Sequence, residues 1–123
     1  MDCIFCKIVN GEIPSFTLYE DDLVKAFLDV NPLSNGHTLI VPKKHYTDLM
    51  DIPDDLFIHI ISVARKISSL LTENLGAEGI TLIQNNGLPQ EVKHFHLHLK
   101  PAYSSNQELV NPEDVYNQIK DIM

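Results

Sequence analysis

The chain has 123 residues, with 17 Asp and Glu against 9 Lys and Arg and a formal charge of −8 at pH 7. That length gives room for one domain, residues 1–123, built on one core, and 44% hydrophobic with 21% charged residues is ordinary globular composition. The acidity excludes modes of action that coat a nucleic-acid polymer or an anionic membrane with Lys and Arg, but it leaves room for a small anionic ligand in one local pocket.

The opening, Met1-Asp2-Cys3-Ile4-Phe5-Cys6-Lys7, lacks the basic-then-apolar order of a signal peptide, and no run approaches the ~18 apolar residues of a spanning helix. The expectation is a cytoplasmic protein. Cys3 and Cys6 are then a poor disulfide framework and need another explanation. Ile4, Phe5 and Ile8 fit one face of a short helix stopped by Gly11 and Pro14. Residues 17–20 and 23–29 predict a hairpin around Asp21-Asp22. Turn chemistry from Asn31-Pro32 to Asn35-Gly36 leads into a third strand, His37 to Val41, ending at Pro42.

From Pro53, the apolar set Leu56, Ile60, Val63, Ile67, Leu70, Leu71 and Leu75 keeps helical spacing. Asp51 or Ile52 stands at the start of this helix and Gly76 at its stop. Glu78 to Gln84 reads as a fourth strand, Asn85 to Pro89 as a loop, and His94 to Leu99 as a fifth strand. Asn111-Pro112-Glu113 opens a short C-terminal helix. Together these predict an α+β fold: a five-stranded antiparallel sheet with one long helix on one face and a short C-terminal helix.

His94-Phe95-His96-Leu97-His98 is the most informative stretch. In a strand, side chains alternate faces, so the three imidazoles share one and Phe95, Leu97 and Leu99 take the other. They cannot all bind one metal: the outer Cα atoms stand roughly 13 Å apart at ~3.3 Å per residue, whereas zinc holds nitrogen at ~2.0–2.1 Å. The row must divide its labour. Imidazole titrates near ~6.5 and serves as nucleophile, acid or charge carrier, and a row of rings suits phosphoryl chemistry, where one attacks phosphorus while neighbours meet the charged oxygens.

At this point the sequence resembles the histidine-triad (HIT) superfamily, through Gln90-Glu91-Val92-Lys93-His94-Phe95-His96-Leu97-His98-Leu99. Ile4 to Ile8, Gly11 to Pro14, Phe27 to Asp29, His37 to His45 and Asn85 to Gly87 follow in the family's order. The small intracellular branch that cleaves purine nucleoside phosphoramidates is the one it looks most like. The resemblance implies that His96 attacks the α-phosphorus to give a nucleotidyl-histidine that water hydrolyses. It implies that His98 and His37 stand beside the phosphate, that Gln90 and Asn85 hold phosphate oxygens or the leaving group, and that Asp29 accepts the ribose hydroxyls. Phe5, Ile8, Phe27 and Val30 match the walls around the base. The ligand implied is a purine nucleoside monophosphate or its conjugates, and the assembly implied is a homodimer with joined sheets. Alternatives are a dinucleoside polyphosphate hydrolase and a nucleotide-binding protein with weak catalysis.

The sequence also departs from the family's pattern. Only Leu88-Pro89 separate Gly87 from Gln90, and Pro89 has no NH to offer a phosphate. Glu91 stands where some members carry a hydroxyl residue, Lys93 replaces an apolar residue, and Lys100-Pro101-Ala102 lacks a common arginine. These differences bear on rate and leaving group rather than on the fold.

The Cys3/Cys6 pair reads as a redox dithiol, as two unremarkable thiols or, by its spacing, as half of a closed zinc site, and the first is disfavoured because the pair opens the chain before a short element rather than following a strand into a long helix. His94, the end ring free of catalysis, is the natural third ligand. His45, just after the third strand, is preferred as the fourth over His59 inside the helix. The expectation is a structural zinc on Cys3, Cys6, His45 and His94, an arrangement that a subset of the superfamily looks like it uses.

Overall fold

A computed structural model describes residues 3–120; Met1 and Asp2 of the opening segment lie outside the described residues. The elements run α1 (Ile4–Val9), β1 (Thr17–Glu20), β2 (Val24–Leu28), β3 (Thr38–Pro42), α2 (Asp54–Leu75), β4 (Gly79–Ile83), β5 (Leu97–Ala102) and α3 (Pro112–Ile119). The five strands form one sheet in the order β1-β2-β3-β5-β4, with every neighbouring pair antiparallel. The α+β architecture read from the sequence is the one observed.

Period-2 alternation sorts the strand residues between two cores. Val24, Ala26, Leu28, Ile40, Leu97 and Leu99 join Ile60, Val63, Ile67 and Leu71 of α2 and Val115 and Ile119 of α3 on one face. Phe27, Leu39 and Val41 turn to the other face, where α1 covers them with Phe5 and Ile8. The second face is therefore covered too, although only one helix-covered face was expected. Lys25 accounts for part of that seat: its buried ammonium donates to the Ile8 carbonyl at 3.2 Å, adding to the bond that carbonyl accepts from Gly11 NH at the end of α1.

Two boundaries differ from the sequence reading. The helix α2 is capped by Pro53, and Asp51 instead turns back to accept from the backbone NH groups of Thr47 and Asp48, both at 2.9 Å. Strand β5 begins at Leu97, not His94, and runs to Ala102. Its ladder with β3 spans Ile40↔Leu97 to Thr38↔Leu99. Before that, Phe95 NH donates to the Tyr46 carbonyl at 2.7 Å, so residues 94–96 are tied to the segment after β3 rather than to β3 itself.

The β2–β3 connection is drawn against the end of α2. Gly36 has φ +91°, and a Cβ there would meet a Leu75 methyl at 2.8 Å, so only glycine fits both conformation and space. This approach sets the loop that carries Asp29 and His37, whose backbones are joined by Asp29 NH to His37 carbonyl at 2.9 Å. Among the described residues, no helix is long and apolar enough to cross a membrane.

Candidate functional site

The expected alternation holds through residues 94–99 even though the strand starts late. Phe95, Leu97 and Leu99 lie in the core under α2, and the three imidazoles face the other way, with ring centroids of His96 and His98 4.9 Å apart. Phe5 stands edge-on to both His94 and His96, at 5.9 and 5.0 Å between centroids, and separates the row into two environments.

Backbone groups set the proton positions in the second half of the row. His96 Nδ1 lies 2.8 Å from the His94 carbonyl, which can only accept, so Nδ1 carries the proton and Nε2 presents a lone pair. Leu33 NH donates to His37 Nδ1 at 3.1 Å, which puts the proton of a neutral His37 on Nε2. That Nε2–H then donates to His98 Nδ1 at 2.9 Å, leaving the His98 proton on its own Nε2. The site thus offers one unprotonated nitrogen on His96 and one N–H on His98. Burial lowers the pKa of His96, partly offset by the carboxylates of Asp29 and Glu91. Burial, reinforced by His96 and His37, pushes His98 down to about 4, and burial also lowers His37. All three rings are neutral at pH 7, as the unprotonated His96 nitrogen requires.

Two adjoining pockets open on these rings. One, of about 240 Å³, is mainly apolar and is walled by Phe5, Ile8, Phe27 and Val30 together with Ile13, Pro14, Leu39 and Val92. The other, of about 320 Å³, is lined by Asp29, Asn31, Leu33, His37, Ile83, Asn85, Glu91, His96 and His98. Asp29, Glu91, His96 and His98 border both. Asp29 Oδ2 stands 3.7 Å from His37 Nε2, and its Oδ1 accepts from Asn31 NH at 2.9 Å.

Gln90 departs from its expected place. It is buried, its amide nitrogen donates to the Thr47 carbonyl, and its Oε1 accepts from Gly87 NH at 3.3 Å. A buried amide already satisfied by backbone braces the loop instead of facing the phosphate pocket. The short 87–90 loop closes on itself through Gln90 NH to Gly87 carbonyl at 2.9 Å and is tied down by Lys93. Leu88 and Pro89 project into solvent. Ile13, Pro14, Leu39 and Val92 were missed as wall residues. Leu39 was recoverable, since it pairs in register with Phe27 on the same sheet face, but the carbonyl and NH groups that orient the rings leave no trace in residue identity.

Cys3, Cys6, His45 and His94 bring one donor atom each within 4.8 Å of one another. Cys3 Sγ and Cys6 Sγ lie 3.3 and 3.5 Å from His94 Nδ1, and Cys6 Sγ lies 3.3 Å from His45 Nδ1. Tetrahedral zinc with Zn–S of ~2.3 Å and Zn–N of ~2.0–2.1 Å spaces sulfur and nitrogen by ~3.5 Å, so the donor set fits. His94 Nε2 donates to the Pro42 carbonyl at 2.8 Å, leaving Nδ1 as the lone pair turned toward the thiols, the arrangement of an oriented metal ligand. Burial lowers His94 to about 4 and keeps it neutral. Burial, with Cys3 alongside, pushes the Cys6 thiol up to about 11, so Cys6 stays a neutral thiol at pH 7 unless a cation stands against it. His59 takes no part, and instead bonds Asp21 Oδ2 at 2.7 Å.

Known proteins resemble this chain along most of its length. Residues 10–105 match the family model described as HIT domain. An uncharacterized HIT-like protein of Methanocaldococcus jannaschii is 47% identical over 117 residues, covering 94% of this chain and 90% of the relative. An adenosine 5'-monophosphoramidase of Schizosaccharomyces pombe is 41% identical over 125 residues, covering 94% and 91%. The crystal structure of a zinc-bound histidine triad family protein from Mycobacterium smegmatis superposes with a TM-score of 0.90 at 33% identity, covering 98% of this chain and 92% of that one.

Proposed function

The chain belongs to the HIT domain family, and from that premise we propose that it is a hydrolase of purine nucleoside phosphoramidates working through a nucleotidyl-histidine on His96. The observation that carries this reading is the bond from His96 Nδ1–H to the His94 carbonyl, which leaves a neutral Nε2 aimed into a pocket beside a matched N–H donor. The adenosine 5'-monophosphoramidase name of the Schizosaccharomyces pombe relative supports the substrate class.

In this reading the base enters the apolar pocket against Phe5, Ile8, Phe27 and Val30, and Asp29 accepts the ribose hydroxyls at the border of the two pockets. A carboxylate suits that task because it can accept both hydroxyls at once. His96 Nε2 attacks phosphorus, the P–N bond to the leaving amine breaks, and a new P–N bond to His96 forms. His98 Nε2–H donates a hydrogen bond to the departing nitrogen, which takes the proton it needs from solvent water, while His37 holds His98 in place through the bond between their rings. Water then attacks phosphorus, releases a proton to solvent as the P–N bond to His96 breaks, and nucleoside monophosphate leaves with His96 restored. Asn85 offers its amide to the phosphate oxygens, and Gln90 serves by fixing the loop beside them.

A structural zinc on Cys3, Cys6, His45 and His94 belongs to the same reading. When bound it supplies cross-linking rather than chemistry, fastening α1 to the segment after β3 and to the chain two residues before His96. A homodimer joined along β4 also belongs to it, because β4 lies at the sheet edge with Thr81 and Leu82 exposed and its outer backbone groups unpaired within the sheet. So does a cytoplasmic site of action. The decisive experiment is rapid quench with a fluorogenic adenosine phosphoramidate followed by intact-mass measurement. A nucleotide adduct that is absent in His96→Ala is expected, and turnover unaffected by that substitution would refute the assignment. Sedimentation of the purified protein tests the dimer.

A further inference from the structure

The charges around the reacting atoms are all of one sign. Asp29 and Glu91 are the charged side chains lining the two pockets, and no Lys or Arg lines either one. Asp29 is oriented by Asn31 NH and faces His37. Glu91 stands on the border of both pockets, which the buried His96 ring also lines. Among the described residues no ion pair joins Glu91 to a cation. The neighbouring Lys93 gives its ammonium to the Gly87 carbonyl. Lys100 contributes charge at His37 but lines neither pocket. The hydrogen bonds to His96, His37 and His98 place one proton on each ring, so none of the three adds positive charge.

A transferred phosphoryl group needs neutral or N–H donors around its oxygens, and the rings and Asn85 provide them. What lies beyond phosphorus is selected by the remaining field. A polyphosphate leaving group would bring further negative charges toward an uncompensated carboxylate, whereas a leaving amine with a second, protonated amino group would meet an attractive one. We propose that Glu91 is a specificity-determining residue that selects phosphoramidates whose leaving amine is itself cationic, such as diamines and lysine-like amines, over neutral, carboxylate-bearing or polyphosphate leaving groups. The proposal rests on the phosphoramidase reading and names the substrate class within it. Bond changes are those already given; the second amino group stays protonated throughout and is released with the amine.

Three adenosine phosphoramidates of equal chain length test it, made from diaminopentane, pentylamine and aminopentanoic acid, with a dinucleoside tetraphosphate alongside. The expected order of kcat/KM is cationic over neutral over anionic, with steps on the order of tenfold at low salt. The steps shrink as salt is raised, because the carboxylate is exposed. Glu91→Gln should collapse the order and Glu91→Lys should invert it, two outcomes that a merely structural role for this exposed side chain would not produce. Equal rates on all three in the unaltered protein, or an order retained in Glu91→Gln, overturns the role of Glu91 and leaves the phosphoramidase reading standing. Absence of turnover on every one of them overturns both.

Discussion

His94 and His96 are the same residue type two positions apart on the same side of the chain, yet they present opposite ring nitrogens. His94 spends Nε2 on the Pro42 carbonyl and offers Nδ1 to the two thiols. His96 spends Nδ1 on the His94 carbonyl and offers Nε2 to the pocket. One backbone acceptor on each ring thus makes one side chain suited to a metal and the other to phosphorus, and the edge of Phe5 stands against both. The two regions also differ in what keeps them together. The thiol end gathers four donor atoms that face one another across a gap a cation would fill, while the pocket end is a chain of hydrogen bonds from Leu33 through His37 to His98.

The comparison breaks most visibly at His96. His96→Ala should lower turnover by on the order of ten-thousandfold or more while leaving metal content at the level of the unaltered protein, measured by elemental analysis. Equal loss of metal would mean that the two ends do not act separately. The reverse substitution, Cys3→Ser with Cys6→Ser, should remove the metal and lower stability by roughly 2 kcal/mol or more, a fall of several degrees in Tm. Full metal retention in that double variant would sink the zinc assignment.

pH sharpens the contrast with a smaller effect. The nucleophile must be neutral and burial lowers its pKa, so activity should persist as the pH falls below ~6.5, where an ordinary imidazole has charged, and be lost only at lower pH. Stability follows the same direction. His98 has a folded pKa of about 4 against ~6.5 unfolded, so between these values the unfolded chain binds more protons. The contribution is fully present above ~6.5 and falls as the pH drops toward 4. A denaturant midpoint independent of pH across that window would contradict the burial of neutral rings. Smallest of all is His59→Ala, which removes the bond to Asp21 between α2 and the β1–β2 turn. It should cost at most about 1 kcal/mol, since the pair is partly exposed, and should leave both turnover and metal content as they were.

Much of this was legible in the residues. The helix α2 was readable because its apolar spacing and the stop at Gly76, which has φ +72°, are local features. The alternation of His94, His96 and His98 against Phe95, Leu97 and Leu99 was readable because it depends only on the pleat, and it survived even though the ladder starts three residues later than expected. Asp29, Asn85 and the four wall residues were found by resemblance and do line the pockets. Gln90 was misplaced because an amide can serve a phosphate or a backbone equally well, and only the position of the Thr47 carbonyl decides between them.

The sequence by itself determined the fold class, the shared face of the three histidines and the impossibility of one metal holding all of them, since pleat and bond lengths follow from chain geometry alone. Tertiary structure decided which nitrogen of each ring is free, that the second sheet face is closed by α1, and that Glu91 and Asp29 border the pockets with no cation among the lining residues. The physical reason is that these depend on backbone carbonyls and NH groups whose placement the folded chain decides, some from far along the sequence and some across a turn. Pro42 reaches His94, Leu33 reaches His37, and Tyr46 reaches Phe95. Every residue type carries such groups alike, so residue identity is silent about where they end up.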